Sequence, residues 1–200
     1  VNKVIVCDDG STDMTADIAE ALGAEVIRHP KNLGYGAAIV ALLRRASEIS
    51  ADVAVTIDGD GQHDPDEIPK LIQPILDEVA DLVIGSRFIK SLNRNMPRYR
   101  KLGIKTITSL LNTTTQLGIS DAQSGYRAYS LKALQSVVPR LTETGMGVSL
   151  QILRLASKAK LRIAEVPVNI RYDVEKPSKK NPLVHGAELV MTLVRLVVLE

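Results

Sequence analysis

Two aspartates one residue apart, Asp58 and Asp60, follow a short apolar run at 53–57 that predicts a buried strand. Residues i and i+2 share a face in extended backbone, and Gly59 lets the chain turn, so the two carboxylates can converge on one point. Converging carboxylates repel unless a cation lies between them, and oxygen ligands select a hard ion such as Mg²⁺ or Mn²⁺. The spacing therefore predicts a divalent metal that holds a diphosphate. The alternative is a plain polar turn, which Asp and Gly also favour.

A second acidic loop, 8–13, also follows an apolar run, at 4–7. In open α/β sheets, ligands bind outside the carboxyl ends of the strands. The two loops therefore predict one common site.

The composition is typical of a single soluble domain, with 45% hydrophobic and 24% charged residues among 200. Aromatic residues make up only 3% and the net charge is +2, which argues against a nucleic-acid partner. Cys7 is the single cysteine, so an internal disulfide is excluded and a reducing compartment is favoured. The sequence contains no stretch of 18 apolar residues, so it does not predict a membrane span.

Strand-like and helical patterns alternate along the chain, which predicts an α/β fold with a mostly parallel sheet flanked by helices. The expected strands lie at 3–7, 25–28, 53–57, 81–85 and 162–167. The expected helices lie at 12–22 with Ser11 as N-cap, 35–48, 66–76 after Pro65, 99–116 and 148–159.

The C-terminal part differs in composition from the rest. We expect a domain over 1–175, and then a basic linker and an amphipathic helix over 176–200. Packing of that helix on the domain or on a partner is favoured over a helix lying on the membrane surface. The helix is too polar to span a bilayer.

Five motifs stand in the order found in family 2 glycosyltransferases, and the chain resembles that family from Val4 to about Tyr172. It is most similar to the polyprenyl-phosphate hexose synthases, which include dolichyl-phosphate mannose synthase. The motifs are Asp8-Asp9-Gly10-Ser11, Asn32-Leu33-Gly34-Tyr35-Gly36-Ala37-Ala38, Asp58-Gly59-Asp60-Gly61-Gln62-His63, Gly85-Ser86-Arg87-Phe88 and Asp121-Ala122-Gln123-Ser124-Gly125-Tyr126-Arg127-Ala128.

The resemblance implies a GT-A type fold and inverting transfer of a hexose from a GDP-mannose or UDP-glucose type donor to a dolichyl or undecaprenyl phosphate. It implies an Mg²⁺ or Mn²⁺ site at Asp58 and Asp60, with Gln62 as a further ligand and His63 as a structural neighbour. It also implies donor contacts from Asp8, Asp9, Ser11, Gly34, Asp58 and Arg87, and catalytic roles for Asp60, Arg87 and Asp121.

Arg87 would neutralise the donor diphosphate, because a guanidinium fork matches phosphate oxygens; a surface ion pair is the alternative for this residue. Asp121 is the position at which relatives that use hydroxyl acceptors have a base. A phosphate acceptor is already ionised at neutral pH, so the alternative role of Asp121 is to orient Arg127 or the acceptor.

Basic residues stand in two clusters, before the fourth predicted helix and near the end of the chain. Such clusters are usually a solvated face, but together they would suit a lipid phosphate at an anionic, cytoplasmic membrane surface. The residues expected to bind the acceptor phosphate are Arg98, Arg100, Arg127 and Arg171, with Lys101, Lys176, Lys179 and Lys180 nearby.

The chain departs from the family at its start, where the family's first strand and its Asn-Glu motif are expected. Loss of a central strand would leave backbone groups unpaired and would favour a homo-oligomer through strand exchange, or through the C-terminal helix. A non-catalytic module that acts through a partner is therefore one alternative function. A dinucleotide-dependent oxidoreductase is a remote one, because Ile39 stands where the third glycine of that fingerprint belongs.

Overall fold

The computed structural model describes residues 1–89 and 96–171, which form an α/β fold. The predicted linker and C-terminal helix at 176–200, with Lys176, Lys179 and Lys180, lie outside the described residues. None of the described helices is both long and apolar enough to cross a bilayer.

The described strands form two sheets. Strands β1 and β2 are parallel, and the second sheet has the order β3-β5-β4-β6. Because β5 is antiparallel to both β3 and β4, and β6 is parallel to β4, three of its four strands run in one direction. The strands are β1 (Ile5–Asp8), β2 (Glu25–Arg28), β3 (Val53–Thr56), β4 (Leu82–Ser86), β5 (Arg127–Ser130) and β6 (Ile163–Pro167).

Six α-helices among residues 1–89 and 96–171 cover these sheets. They are α1 (Thr15–Ala21), α2 (Tyr35–Glu48), α3 (Ile68–Leu76), α4 (Arg98–Thr115), α5 (Leu131–Val137) and α6 (Val148–Lys158). Helix α2 packs against both β1 and β3, so it joins the two sheets. Among the described strands, β1 pairs with β2, and β3 pairs with β5 at one side of the larger sheet.

The hydrophobic core has two parts, one on each face of the larger sheet. Alternate residues of β4 point to opposite faces, as extended backbone requires. Leu82 and Ile84 join α2, α4, α5 and α6 in one cluster, whereas Val83 packs with α3 in the other. Burial of β4 on both faces explains its continuous apolar sequence.

Local side-chain bonds decide where two of the helices begin. Ser11 was expected to cap α1, but that helix begins at Thr15, where the Asp13 carboxylate accepts the Thr15 N–H at 3.0 Å. The expectation for Ser11 is therefore wrong: the N-cap position is Met14, and the Asp13 carboxylate binds the first residue of the helix. The predicted helix at 66–76 begins with a 3-10 turn, Pro65–Glu67, capped by Asp64.

Strand β5 and helix α5 were not predicted from the sequence. The strand is only four residues long and begins at a buried arginine, Arg127, so it carries no alternating apolar pattern. Ser130 ends the strand and caps α5, since its side chain accepts the Ala133 N–H.

Candidate active site

The first carboxylate of the candidate site, Asp58, follows the carboxyl end of β3 and is about one-third exposed (32%). The Tyr35 hydroxyl at the start of α2 donates to its Oδ1 at 3.3 Å. Gly125 lies against the pair: a Cβ at this position would be 2.6 Å from the Tyr35 hydroxyl and 2.9 Å from Asp58 Oδ2. Only glycine leaves room for this arrangement.

Burial raises the pKa of Asp58, and the nearby charge of Asp60 acts in the same direction. The charges of His63 and Arg87 oppose the increase. Asp58 is therefore a carboxylate whose ionised form gains from any additional positive charge at the site.

The loop after Asp58 also brings Asp60, Gln62 and Arg171 together. The Gln62 N–H donates to Asp60 Oδ1 at 3.0 Å, and the Gln62 carbonyl accepts the Arg171 N–H at 2.9 Å. His63 is 7% exposed, lies 3.9 Å from Asp58 Oδ2 through its Nδ1, and contacts the Tyr126 ring. The backbone hydrogen bond from Arg171 to Gln62 thus holds the acidic loop in place.

The donor set of this loop fits a hard divalent ion. Among residues 1–89 and 96–171, no cluster of three or more His, Cys, Asp or Glu side chains forms a ready-made metal cage. Mg²⁺ and Mn²⁺ do not need one, since they are commonly held by one or two carboxylates together with water and substrate phosphates. The self-repulsion of Asp58 and Asp60 is the property that such an ion would relieve.

A guanidinium clamp lies at the carboxyl end of β4. Asp121 accepts three hydrogen bonds from Arg87: the backbone N–H at 3.1 Å and Nε at 2.6 Å reach Oδ2, and Nη2 reaches Oδ1 at 2.7 Å. The Arg87 side chain is 10% exposed and that of Asp121 is fully buried. Asp58 follows β3 and Arg87 follows β4, and these strands run in the same direction on either side of β5, so the clamp and the acidic loop lie at the same edge of the sheet.

The other acidic loop follows β1. Asp9 accepts the N–H groups of Leu33 and Gly34 at 2.9 Å each, and His29 Nδ1 lies 2.7 Å from its carboxylate. These bonds tie the end of β1 to the start of α2, and they lower the pKa of Asp9 against the effect of burial. Asp8 is buried and accepts the Ser11 N–H at 3.0 Å.

The residues expected to bind the acceptor phosphate differ in burial. Arg127 is 1% exposed and donates to the carbonyls of Ala122 and Ser149. This burial contradicts its predicted role as a phosphate ligand, because the guanidinium faces the core. Arg98 and Arg100 are exposed on the first turn of α4, and Arg171 is exposed beside the acidic loop.

Sequence reasoning missed two contacts that shape the site. His29 directly follows the carboxyl end of β2, and this position was itself a usable signal. Glu165 is a charged residue within the apolar strand β6, and it binds the backbone of Ser120 and Asp121. Its partners are 44 and 45 residues away, so no local pattern predicts the contact.

Residues 2–138 match the family described as Glycosyl transferase family 2. The chain belongs to this family. Its fold is of the GT-A type, and the protein is an enzyme, a glycosyltransferase. This result overturns the oxidoreductase alternative.

Several relatives of this family 2 glycosyltransferase are named for sugar transfer to lipid phosphates. A UDP-N-acetylglucosamine–dolichyl-phosphate N-acetylglucosaminyltransferase of Methanococcus voltae is 34% identical, covering 98% of this chain and 85% of the relative. An undecaprenyl-phosphate mannosyltransferase of Micrococcus luteus is 34% identical, covering 84% and 71%.

A solved structure is similar over nearly the whole chain. Glucosyl-3-phosphoglycerate synthase of Mycobacterium tuberculosis, crystallised with Mn²⁺, UDP-glucose and phosphoglyceric acid, is 26% identical with a TM-score of 0.67, covering 97% of this chain and 68% of that protein. That enzyme thus combines a similar fold with a metal ion and a nucleotide sugar.

Proposed function

We propose that this enzyme transfers a hexose, with inversion, from a nucleotide-diphosphate sugar of the GDP-mannose or UDP-glucose type to a polyprenyl phosphate. The observation that carries the proposal is the neighbourhood of two opposite charges. The partly buried carboxylate of Asp58 follows β3, and Arg87 follows β4, which runs in the same direction on the other side of β5; Asp121 holds the Arg87 guanidinium in a fixed orientation. A metal-bound diphosphate needs acidic and basic groups side by side in this way.

Asp58 and Asp60 would hold Mg²⁺ or Mn²⁺, with Gln62 as a further ligand. When bound, such an ion neutralises the diphosphate as the sugar departs. Arg87 would bind the same diphosphate through its guanidinium, and a preorganised cation of this kind stabilises charge that develops in the transition state. The N-terminal loop would contact the nucleoside through Asp8, Asp9, Ser11 and Gly34.

Asp121 acts in this proposal as a positioning residue. Both of its oxygens accept hydrogen bonds from Arg87, and its side chain is fully buried, so it has no access to an acceptor. A phosphate acceptor is already ionised at neutral pH and needs little help from a base. The phosphate oxygen then attacks the anomeric carbon directly while the bond from that carbon to the nucleoside diphosphate breaks, the diphosphate leaves, and no covalent enzyme intermediate forms.

The surface of α4 supports docking at an anionic membrane on the cytoplasmic side. This helix carries the basic residues Arg98, Arg100, Lys101 and Lys105 and has no acidic residue. Tyr99 and Leu102 beside them are 64% and 69% exposed. Basic residues near an anionic surface each contribute about 1 kcal/mol, and an exposed tyrosine suits the headgroup layer.

The donor site is tested by calorimetric titration with GDP-mannose and with UDP-glucose, each with and without Mn²⁺. We expect metal-dependent binding of one of them, and its loss in Asp60→Ala. Asp77→Asn, at the exposed end of α3, is the matched control and should bind like the unchanged protein. Absence of binding to both donors, from folded protein, would count against the proposal.

The acceptor is tested by incubating the loaded enzyme with undecaprenyl phosphate, dolichyl phosphate or a free hydroxyl acceptor. We expect a glycosyl phospholipid whose anomeric configuration, read by NMR, is opposite to that of the donor. Retention of configuration, or transfer only to the hydroxyl acceptor, would refute the assignment.

A further inference from the structure

A second carboxylate, Glu165 of β6, lies next to the Arg87–Asp121 clamp. Its Oε2 accepts the Ser120 N–H at 2.7 Å, and its Oε1 accepts the Asp121 N–H at 3.0 Å. The two oxygens therefore hold two successive backbone amides, and these amides immediately precede the Asp121 carboxylate.

A chain of hydroxyl groups links the same carboxylate to the end of β4. The Ser120 hydroxyl reaches Glu165 Oε1 at 3.0 Å, and since a carboxylate only accepts, Ser120 is the donor. The Ser86 hydroxyl, 2.6 Å away, must then donate to Ser120, while Ser86 accepts the Phe88 N–H at 3.2 Å. Each hydrogen bond in this series is therefore donated in the direction of Glu165.

Two neighbours of Arg87 are thus connected to Glu165 by hydrogen bonds. Asp121 binds Glu165 directly through its N–H, and Ser86 is connected to it through the Ser120 hydroxyl. Asp121 holds the Arg87 guanidinium and N–H, and the flanking residues Ser86 and Phe88 join the hydroxyl chain. The register of the sheet makes this connection, since Glu165 pairs with Ile84, three residues before Arg87.

We propose that Glu165 is a positioning residue that sets the orientation of Arg87 through Ser120 and Asp121. The inference rests on the proposed function, because orientation of Arg87 matters through the diphosphate that it would bind. Burial raises the pKa of Glu165, with the Asp121 charge adding to it, while the donors from Ser120 and Asp121 oppose this. Those donors are the Ser120 N–H, the Ser120 hydroxyl and the Asp121 N–H, and a neutral amide side chain at position 165 cannot accept all three hydrogen bonds as the carboxylate does.

The decisive variant is Glu165→Gln, which keeps the size of the side chain. An amide offers one accepting oxygen and one donating nitrogen, so either the Ser120 N–H or the Asp121 N–H must face a donor. We expect kcat to fall about tenfold while the dissociation constant of the nucleotide sugar changes less than twofold. Ser120→Ala removes only the hydroxyl link and should give a smaller loss in kcat.

Asp81→Asn is the matched control, because Asp81 is a buried carboxylate that binds Arg162, the residue before β6, at the opposite end of the same strand pair. This variant should lose stability but keep kcat. If Asp81→Asn lowers kcat as much as Glu165→Gln does, the effect is one of general stability and the inference is overturned.

A readout independent of sugar transfer separates this inference from the proposed function. The Arg87 Nε–H, assigned in a ¹⁵N spectrum by its loss in Arg87→Lys, should exchange with solvent about tenfold faster in Glu165→Gln and unchanged in Asp81→Asn. Unchanged exchange in both Glu165→Gln and Ser120→Ala overturns the role of Glu165, whatever the enzyme transfers. Faster exchange in a protein that transfers no sugar would uphold the positioning role and reject the proposed function.

Discussion

The two ends of the β4–β6 strand pair carry the same arginine clamp in different surroundings. At the amino ends, the Arg162 N–H and Nε donate to Asp81 Oδ2, and Nη2 donates to Oδ1. At the carboxyl ends, Arg87 binds Asp121 through the same three groups in the same pattern. One bonding pattern therefore occurs twice within one sheet.

The difference lies in exposure and neighbours. The Arg162 side chain is 53% exposed, and Lys132 supplies a second cation to Asp81. Arg87 is 10% exposed and lies within electrostatic reach of Asp58. The comparison indicates that the clamp at the amino ends stabilises the sheet. The clamp at the carboxyl ends instead holds the Arg87 guanidinium in a fixed orientation beside an acidic loop.

The largest expected effect comes from replacing Arg87 by lysine, and Arg162→Lys is the comparison. Lysine keeps the positive charge but lacks the planar guanidinium that binds two oxygens at once. We expect Arg87→Lys to lower kcat for sugar transfer about a hundredfold, within the range for loss of one preorganised charge in a transition state. Arg162→Lys should change kcat less than twofold. Steady-state kinetics on both variants measures this, and similar losses at the two ends would break the comparison.

The next effect concerns stability at the amino ends. Hydrogen bonds from Arg162 lower the pKa of Asp81 to about 2, despite burial. A depressed carboxylate pKa contributes stability above its ordinary value near 4, on the order of 2 kcal/mol, and this is lost as the pH falls toward 2. Urea unfolding should therefore show Asp81→Asn less stable at pH 7, with the difference shrinking between pH 4 and 2. A difference independent of pH would contradict this.

A smaller effect is expected at Gly125, which lies against Asp58 after the carboxyl end of β3 and has no counterpart at the Asp81–Arg162 clamp. The added methyl group of Gly125→Ala would lie 2.9 Å from Asp58 Oδ2 and displace the carboxylate. We expect metal-dependent donor binding to weaken about tenfold, measured by calorimetry with Mn²⁺. Gly103→Ala is the control, since nothing lies within 4 Å of the added atom there. Equal effects at the two glycines would argue against a special fit at Asp58.

The smallest effect is expected for Lys132→Met. Lys132 is 62% exposed and lies 3.4 Å from Asp81, and exposed ion pairs contribute about 0–1 kcal/mol. Thermal unfolding should shift slightly and kcat should not change. A loss as large as that of Asp81→Asn would show that Lys132, rather than Arg162, dominates the clamp.

Sequence patterns predicted the regular parts of the fold and failed where long-range contacts decide. Helix α2 was predicted at its observed bounds because its apolar residues repeat at helical spacing throughout. Strand β5 was missed because its place between β3 and β4, rather than any apolar alternation, makes it a strand. Arg127 was expected to bind the acceptor phosphate, but it donates to the carbonyl groups of Ala122 and Ser149 in the core, where arginine is rarely found.

The sequence by itself determined the family, the alternation of strands and helices, and the placement of Asp58 and Arg87 directly after strands. These properties depend on residue types and short spacings, which local backbone geometry converts into structure. Only the tertiary structure decided which carboxylate each arginine binds. Asp121 is 34 residues from Arg87, and Asp81 is 81 residues from Arg162. Pairs at such separations depend on strand order and register, which a one-residue shift would alter, and no local pattern specifies them.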